Sequence, residues 1–175
     1  GIDLILHLAS KFPNLNFNLY GQSKEDIKPN LKNVKIHNFV DYCNVPDILN
    51  NSDVLLMPYS KNVSVRSKTL NTADYCSPLK MFDYLAAGKI IMSSKLGGIC
   101  EILKHKENSI IVEEFNHEMW ELELNNLLKD VYDIKKIQKN AFSTANEYTW
   151  VKRANKILNK NLIKYYLMKI LITGA

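Results

Sequence analysis

Two short apolar runs with one helix between them do most to restrict how this chain can fold. The first run is DVLLMP at 53–58 and the second is KIIMSS at 89–94, and neither alternates polar with apolar residues. A strand that is apolar throughout suits a sheet covered on both faces, as parallel sheets are. Parallel neighbours also need a crossover, and SPLKMFDYLAAGK at 77–89 is predicted as a helix. We therefore expect an α/β fold, a parallel sheet with helices on both faces.

Strand and helix patterns alternate along the first two thirds of the chain. Further strands are predicted at 15–21, 33–39 and 108–112, and further helices at 2–12, 45–51, 98–104, 117–131, 133–148 and 150–166. The alternation stops after residue 112, so the last three helices are expected to be additions to the α/β unit. Because the first helix has no strand ahead of it to pack on, we expect that a segment upstream is missing.

Composition favours one globular domain and excludes several classes of protein. The 175 residues, 46% of them hydrophobic, can bury one core, and the formal charge of +5 permits anionic partners. The basic residues are scattered, which disfavours dedicated binding of nucleic acid. Three widely separated cysteines, Cys43, Cys76 and Cys100, fit reduced thiols in the cytoplasm better than a disulfide framework. No apolar stretch reaches the roughly 18 residues of a membrane span, although contact with a membrane surface stays open.

The start of the helix at 77–89 carries an unexpected charge. Ser77 is expected to cap the helix, and Pro78 suits its first turn because proline has no N–H to leave unpaired. Lys80 follows in the first turn, at the positive end of the helix dipole, where a cation is disfavoured. Two interpretations stay open: a ligand anion sits in front of Lys80, or the lysine side chain is solvated.

Asp83 lies further along the same helix. Leu79, Phe82 and Ala86 are expected to form its apolar stripe, with Asp83 at the border. There the carboxylate could accept hydrogen bonds from a ligand, or it could be an exposed acid that pairs with Lys80 three residues before it.

Ligands of open parallel sheets bind at the carboxyl ends of the strands. The loop at 59–77 and the turn at 93–98 lie at that edge. Arg66 in the loop is a candidate ligand of an anion or a solvated charge. Ser94, Gly97 and Gly98 allow a ligand to approach the backbone closely, or the glycines only permit a tight turn.

In order and spacing, four segments resemble the carboxy-terminal, donor-binding domain of the retaining GT-B glycosyltransferases of family 4. They are GIDLILHLASKFPNLNFNLYG, NVKIHNFVDYCNVPDILNNSDVLLMPYS, SPLKMFDYLAAGKIIMSSKLGGICEIL and NSIIV, and they cover about residues 1–150. The resemblance implies a Rossmann-like domain that holds a nucleotide-diphosphate sugar. It also implies an acceptor bound by a separate amino-terminal domain, absent from this sequence, and chemistry without a metal or other cofactor.

Members of that family carry two glutamates eight positions apart around a glycine-rich turn. The second position, which binds the nucleotide ribose, is matched by Asp83, a shorter carboxylate. The first falls on Tyr75, and its role near the donor sugar is assigned to the adjacent Asp74. Residues 76–79 replace the glycine-rich turn, so the diphosphate is expected at the helix start formed by Ser77, Pro78, Leu79 and Lys80, with Lys80 stabilising the leaving group.

The resemblance also extends to four further residues. Ser94, Gly97 and Gly98 are expected near the donor sugar. Phe39, which follows a predicted strand, borders the nucleobase in this interpretation, although core packing is an equal alternative.

We interpret residues 1–166 as the donor-binding domain of a hexosyltransferase that acts on a saccharide or lipid-linked acceptor in cell-envelope polysaccharide assembly. It is expected in the cytoplasm, with peripheral contact at the inner face of the membrane left open, and inactive on its own. The tail at 167–175 contains MKILITGA, which resembles the start of a short-chain dehydrogenase or epimerase. A non-enzymatic nucleotide-sugar-binding module is the main alternative. An NAD-dependent dehydrogenase is disfavoured because no complete G-x-G-x-x-G turn is present.

Overall fold

The computed structural model of the chain describes residues 1–21, 31–59, 78–113 and 116–164. Helices and strands alternate as the sequence predicts, and a short 3₁₀ turn, Tyr42–Asn44, precedes the second helix. The helices are α1 (Ile2–Lys11), α2 (Val45–Asn50), α3 (Leu79–Ala87), α4 (Gly97–Cys100), α5 (His117–Leu128), α6 (Ile134–Glu147) and α7 (Trp150–Lys164). The strands are β1 (Phe17–Tyr20), β2 (Val34–His37), β3 (Val54–Met57), β4 (Ile90–Ser94) and β5 (Ile110–Val112).

All strand pairs among the described residues are parallel. β1 pairs with β2, and β4 lies between β3 and β5 in a second sheet. Side chains from both sheets enter one hydrophobic cluster with α1 and α5, in which Leu8, Met92 and Trp120 are fully buried. The parallel α/β architecture predicted from the sequence is thereby confirmed.

Strand β4 is buried along its whole length, which explains its uninterrupted apolar sequence. Ile90 and Met92 face the cluster shared with α1 and α5. Ile91 faces a second cluster on the opposite side of the sheet, where Met81 and Leu85 of α3 pack. Each face of this strand is therefore covered, as its sequence predicts.

The structure corrects two expectations for α3. The helix begins at Leu79, so Pro78 is its N-cap, with extended backbone, rather than a residue of its first turn. The expected apolar stripe was also wrong at two of its three positions: Leu79 is 78% exposed and Ala86 is exposed, whereas Phe82 is partly buried. The fully buried side chains of α3 are Met81 and Leu85. Met81 and Leu85 are four residues apart on one face, and that face meets β4 and α4.

Gly88 ends α3 in the left-handed conformation, with φ +60° and ψ +32°. A side-chain carbon added there would lie 3.4 Å from Cβ of Phe142 on α6. An added carbon would make ordinary van der Waals contact with α6, so glycine is favoured here by the left-handed turn rather than by packing.

A buried carboxylate lies on α5. Glu123 is 7% exposed and accepts a hydrogen bond from the Tyr132 hydroxyl, which also accepts one from Asn126 at 3.2 Å. Burial is the main reason that the pKa of Tyr132 is raised, and the bond to Glu123 adds to it. The hydroxyl thus satisfies an acid that would otherwise be costly to bury.

Helix α7 leaves apolar side chains uncovered in this chain. Trp150, Val151, Ile157 and Leu158 are each more than half exposed. Within the described part of the chain, no helix is long and apolar enough to cross a membrane.

Candidate functional site

The carboxyl edge of the sheet that contains β3, β4 and β5 gathers several of the predicted site residues. Met57 at the end of β3 pairs with Ser93 of β4, so the segments that follow the two strands emerge side by side. Tyr59 follows β3, and Ser94 is the last residue of β4. Helix α3 begins at the same edge, as the contact between its Lys80 side chain and Tyr59 shows.

Lys80 projects towards the ring of Tyr59. The Nζ atom lies 4.6 Å from the ring centroid, a cation–π contact. Although the residue as a whole is exposed, the atoms packed around its ammonium group lower the pKa of Lys80 from its ordinary value of 10.5 by desolvation. The helix dipole also disfavours a cation here. An anion bound in front of this group would offset both effects.

The first turn of α3 offers hydrogen-bond donors. The N-cap, Pro78, supplies no side-chain cap, and its carbonyl accepts from the N–H of Met81 at 3.0 Å. Among the described residues none accepts a hydrogen bond from the N–H of Leu79 or Lys80. The helix start therefore combines a lysine with N–H groups that have no acceptor among the described residues, an arrangement found at anion-binding helix termini. Ser77 lies outside the described residues, so its capping role stays a prediction.

Asp83 is held by a residue that the sequence did not suggest. Its Oδ1 atom accepts a hydrogen bond from the hydroxyl of Tyr42 at 2.9 Å, and the Asp83 side chain is half-buried. Of the two open interpretations of Asp83, the ion pair with Lys80 is not found, since these two described side chains form no salt bridge with each other. The bond to Asp83 is the main reason that the pKa of Tyr42 is raised. No local pattern predicts this contact, because the residues are 41 positions apart.

Phe39 lies just beyond β2 and is not part of the core. It is 85% exposed, and its ring lies against Gly21, where an added side-chain carbon would be 3.4 Å from the ring edge. The positive φ of Gly21, +77°, is the reason for glycine at that position, because an added carbon would only make ordinary van der Waals contact with the ring. Of the two interpretations of Phe39, core packing is excluded, and a flat apolar surface at the edge of β1 and β2 is available to a ligand.

The turn after β4 brings together a buried hydroxyl and two glycines. Ser94 is 1% exposed, and its Oγ atom finds no hydrogen-bond partner within the described ranges. Gly97 and Gly98 begin α4 without the positive φ that Gly21 and Gly88 adopt. Backbone conformation therefore does not require glycine at 97 or 98.

Two other predicted site residues, Arg66 and Asp74, lie outside the described residues, so their roles stay predictions. Over residues 1–21, 31–59, 78–113 and 116–164, no group of three or more His, Cys, Asp or Glu side chains could hold a metal ion.

Comparison with known proteins relates the chain to one enzyme family. A family model described as glycosyl transferases group 1 matches residues 2–130. No match was found among curated proteins.

Solved structures share the fold. HepE from Anabaena, solved in complex with UDP, gives a TM-score of 0.72 at 17% identity, covering 94% of this chain and 45% of HepE. Sucrose-phosphate synthase from Thermosynechococcus elongatus gives 0.71 at 15%, covering 94% and 42%. The C-terminal domain of LpcC, a group 1 glycosyl transferase from Francisella tularensis, gives 0.61 at 17%, covering 85% and 78%. This chain thus spans less than half of HepE and of the synthase, and its fold is that of part of a GT-B glycosyltransferase.

Proposed function

This chain belongs to the glycosyl transferases group 1 family, and we propose that it is the part of a glycosyltransferase that binds the nucleotide-sugar donor. In this proposal it is the C-terminal domain of a family 4 enzyme, and residues 1–166 form the domain. The likeness to the C-terminal domain of LpcC, which this chain covers to 78%, supports the placement. So does the match to less than half of HepE, which leaves room for an acceptor-binding domain elsewhere in the full enzyme.

The observation that carries the proposal is the start of α3. Desolvation lowers the pKa of the Lys80 side chain. The backbone N–H groups of Leu79 and Lys80 lie beside it, and no described residue accepts a hydrogen bond from them. A diphosphate supplies the negative charge and the acceptor oxygens that this arrangement lacks. We assign the donor's diphosphate to the helix start at 77–80, with Lys80 as the group that meets its charge.

The nucleoside is assigned to the neighbouring surface. Asp83 lies one helical turn beyond Lys80, and its carboxylate can accept from the ribose hydroxyls. The exposed ring of Phe39 can stack against the base. HepE has been solved with UDP and with UDP-glucose, and this makes uridine the first nucleoside to test.

The sugar is assigned to the turn after β4. A hydroxyl of the sugar would satisfy the buried Oγ of Ser94, and the lack of side chains at Gly97 and Gly98 would let the sugar approach the backbone. The loop that carries Arg66 and Asp74 would complete the site, with Asp74 near the donor sugar.

In the proposed reaction the bond between the sugar and the diphosphate breaks, and negative charge gathers on the departing diphosphate. Lys80 and the N–H groups of α3 stabilise that charge, and this lowers the barrier to bond breaking. We propose transfer of a hexose with retention of configuration, by a mechanism without a metal, onto a saccharide or lipid-linked acceptor. Without the acceptor-binding domain, this chain alone should bind the nucleotide and transfer no sugar.

We place the enzyme in cell-envelope polysaccharide assembly, in the cytoplasm at the inner face of the membrane. The formal charge of +5 is compatible with contact with anionic lipid headgroups. The test of this placement is co-sedimentation of the chain with anionic and with neutral vesicles at low and high salt. Binding to neither vesicle type would remove the membrane contact from the proposal.

Thermal unfolding in the presence of UDP, GDP, ADP and NAD tests the donor assignment. A nucleotide at 100 times its dissociation constant adds about 2.7 kcal/mol to the free energy of unfolding. This raises the melting temperature of a domain of this size by several degrees. We expect one diphosphate to stabilise the parent chain, and Lys80→Ala and Asp83→Ala to lose the effect. Lys152→Ala, which alters an exposed lysine of α7 paired with Glu147 at the end of α6, is the control.

Preference for NAD would support a dehydrogenase instead. If no diphosphate stabilises a folded chain, or if both variants respond as the parent does, the assignment of Lys80 and Asp83 fails.

A further inference from the structure

The hydrogen bond between Tyr42 and Asp83 ties the segment after β2 to helix α3. The hydroxyl of Tyr42 donates to Oδ1 of Asp83 at 2.9 Å, yet the tyrosine side chain is 72% exposed. An exposed tyrosine has water as an alternative partner, so burial does not force this pairing. The contact therefore depends on where the backbone places the tyrosine.

The fold holds Tyr42 in place. It begins the 3₁₀ turn Tyr42–Asn44, in which the N–H of Asn44 donates to the carbonyl of Asp41 at 2.9 Å. The turn runs without a break into α2, and α2 packs against α3. Tyr42 and Asp83 thus belong to elements that pack together, and the tyrosine ring does not have to reach across a flexible loop.

The bond leaves the carboxylate able to bind a ligand. An ionised carboxylate has two oxygens with about four acceptor sites. Tyr42 occupies one site on Oδ1, whereas Oδ2 has no hydrogen-bond partner among the described residues. The tyrosine oxygen also keeps lone pairs that can accept a hydrogen bond. Two acceptors, Oδ2 of Asp83 and the Tyr42 oxygen, are therefore available to a pair of neighbouring hydroxyl groups.

A carboxylate held in one orientation binds a diol better than a mobile one, because less side-chain freedom is lost on binding. Asp83 has one methylene less than glutamate and reaches less far from its helix. A second residue that fixes its orientation and adds an acceptor would compensate for the shorter reach.

We propose that Tyr42 is a positioning residue for the donor site: its hydroxyl fixes Asp83 so that the two side chains together bind the ribose diol of a nucleoside diphosphate. The pair then selects ribonucleotides over nucleotides that lack the hydroxyls. This inference rests on the proposed function, because it presumes that a nucleoside diphosphate binds beside α3.

Binding of UDP and of 2′,3′-dideoxy-UDP tests the role of Tyr42. The dideoxy nucleotide keeps the base and the diphosphate but offers no hydroxyl to Asp83. Calorimetric titration should show that the parent chain binds UDP about tenfold more tightly than the dideoxy form, as expected for loss of a hydrogen bond to a charged group. Tyr42→Phe should weaken UDP binding by about threefold to tenfold and leave the dideoxy affinity within about twofold.

Two variants separate this role from other effects. Tyr148→Phe removes a hydroxyl from an exposed tyrosine whose hydroxyl has no partner in the described part of the chain, and it should change neither affinity. Asp83→Ala should abolish the preference for UDP. Circular dichroism spectra that match the parent's show that each variant is folded.

The outcomes are distinct. If Tyr42→Phe weakens both nucleotides equally, or keeps the full preference that Asp83→Ala loses, the positioning role is wrong while the donor site stands. If Tyr42→Phe binds UDP more tightly than the parent, the hydroxyl blocks Asp83 and the inference is overturned. If the parent binds both nucleotides equally, or binds neither, the assignment of Asp83 fails, and the role of Tyr42 fails with it.

Discussion

The ammonium group of Lys80 lies 4.6 Å from the centre of the Tyr59 ring, on the first turn of a helix whose dipole disfavours it. The ring stabilises the cation, whereas desolvation and the dipole destabilise it, and the pKa of Lys80 is lowered. The balance matters for a ligand, because an arriving diphosphate would favour the protonated lysine.

This relationship predicts how nucleotide affinity depends on pH. Bound diphosphate raises the pKa of Lys80. At a pH at which the lysine of the free chain is deprotonated, binding is therefore coupled to the uptake of a proton by Lys80. UDP affinity should be full below the pKa of the free lysine and fall as pH rises through it, by at most about tenfold per pH unit. Calorimetric titrations between pH 7 and pH 10 measure this, since the diphosphate is already ionised there.

Lys80→Arg is the matched variant for that pH profile. Arginine stays charged over the whole of that pH range, so the UDP affinity of the variant should stay level. An equal decline in both chains would assign the pH dependence to another group.

The second prediction concerns the end of α3. Gly88→Ala places a side chain at φ +60°, which strains the backbone, so it should lower the free energy of unfolding by about 1–2 kcal/mol. Gly88→Asn should cost less, because asparagine tolerates the left-handed region better. Urea unfolding of the parent and the two variants measures the differences in free energy of unfolding. An alanine variant as stable as the parent would show that alanine is not strained at this position.

Removal of the Tyr132 hydroxyl should destabilise the chain. Tyr132→Phe leaves the buried carboxylate of Glu123 without this donor, at a cost of about 1–3 kcal/mol. The double variant Tyr132→Phe with Glu123→Leu should recover part of the loss, because the buried charge is then gone. Thermal unfolding compares them, with Tyr148→Phe as the control for loss of an exposed hydroxyl. A single variant as stable as that control would show that Glu123 finds another partner.

A fourth prediction concerns stability at mildly acid pH. Desolvation is the main reason that the pKa of His105 is lowered from its ordinary value of 6.5, and its Nδ1 accepts a hydrogen bond from the N–H of Ile111 at 3.1 Å. The folded state thus favours the neutral ring. Its contribution to stability is full above 6.5 and is lost as pH falls through the lowered pKa of the folded chain.

Melting temperatures between pH 7 and pH 5 of the parent and of His105→Gln test this. Glutamine can accept the same hydrogen bond but does not titrate, so its melting temperature should fall less over that range. If both chains lose stability in parallel, another group is responsible.

The sequence predicted the order of the elements well, for a physical reason. Strands β3 and β4 are apolar on both faces, and only a covered parallel sheet accommodates them. The buried face of α3 was predicted wrongly, because Leu79 and Ala86 are as apolar as the true core residues Met81 and Leu85. A helix with apolar residues on two faces does not indicate which one packs, and the partner element decides.

The candidate site could be predicted only in part. Lys80 stood out because its charge opposes the helix dipole, and that signal is local. The contact of Asp83 with Tyr42 depends on α2 packing against α3, and the contact of Lys80 with Tyr59 depends on how the chain leaves β3. Neither contact produces a periodic pattern in the sequence, so neither could be predicted from it.

The burial of β4 between two clusters has a consequence for how the molecule unfolds. Ile90 and Met92 contribute to one cluster and Ile91 to the other, so the neighbouring residues of a single strand connect the two halves of the core. Neither cluster can come apart without exposing a face of this strand. Melting of the α/β unit is therefore expected to be cooperative, with both sides of the sheet lost in the same transition.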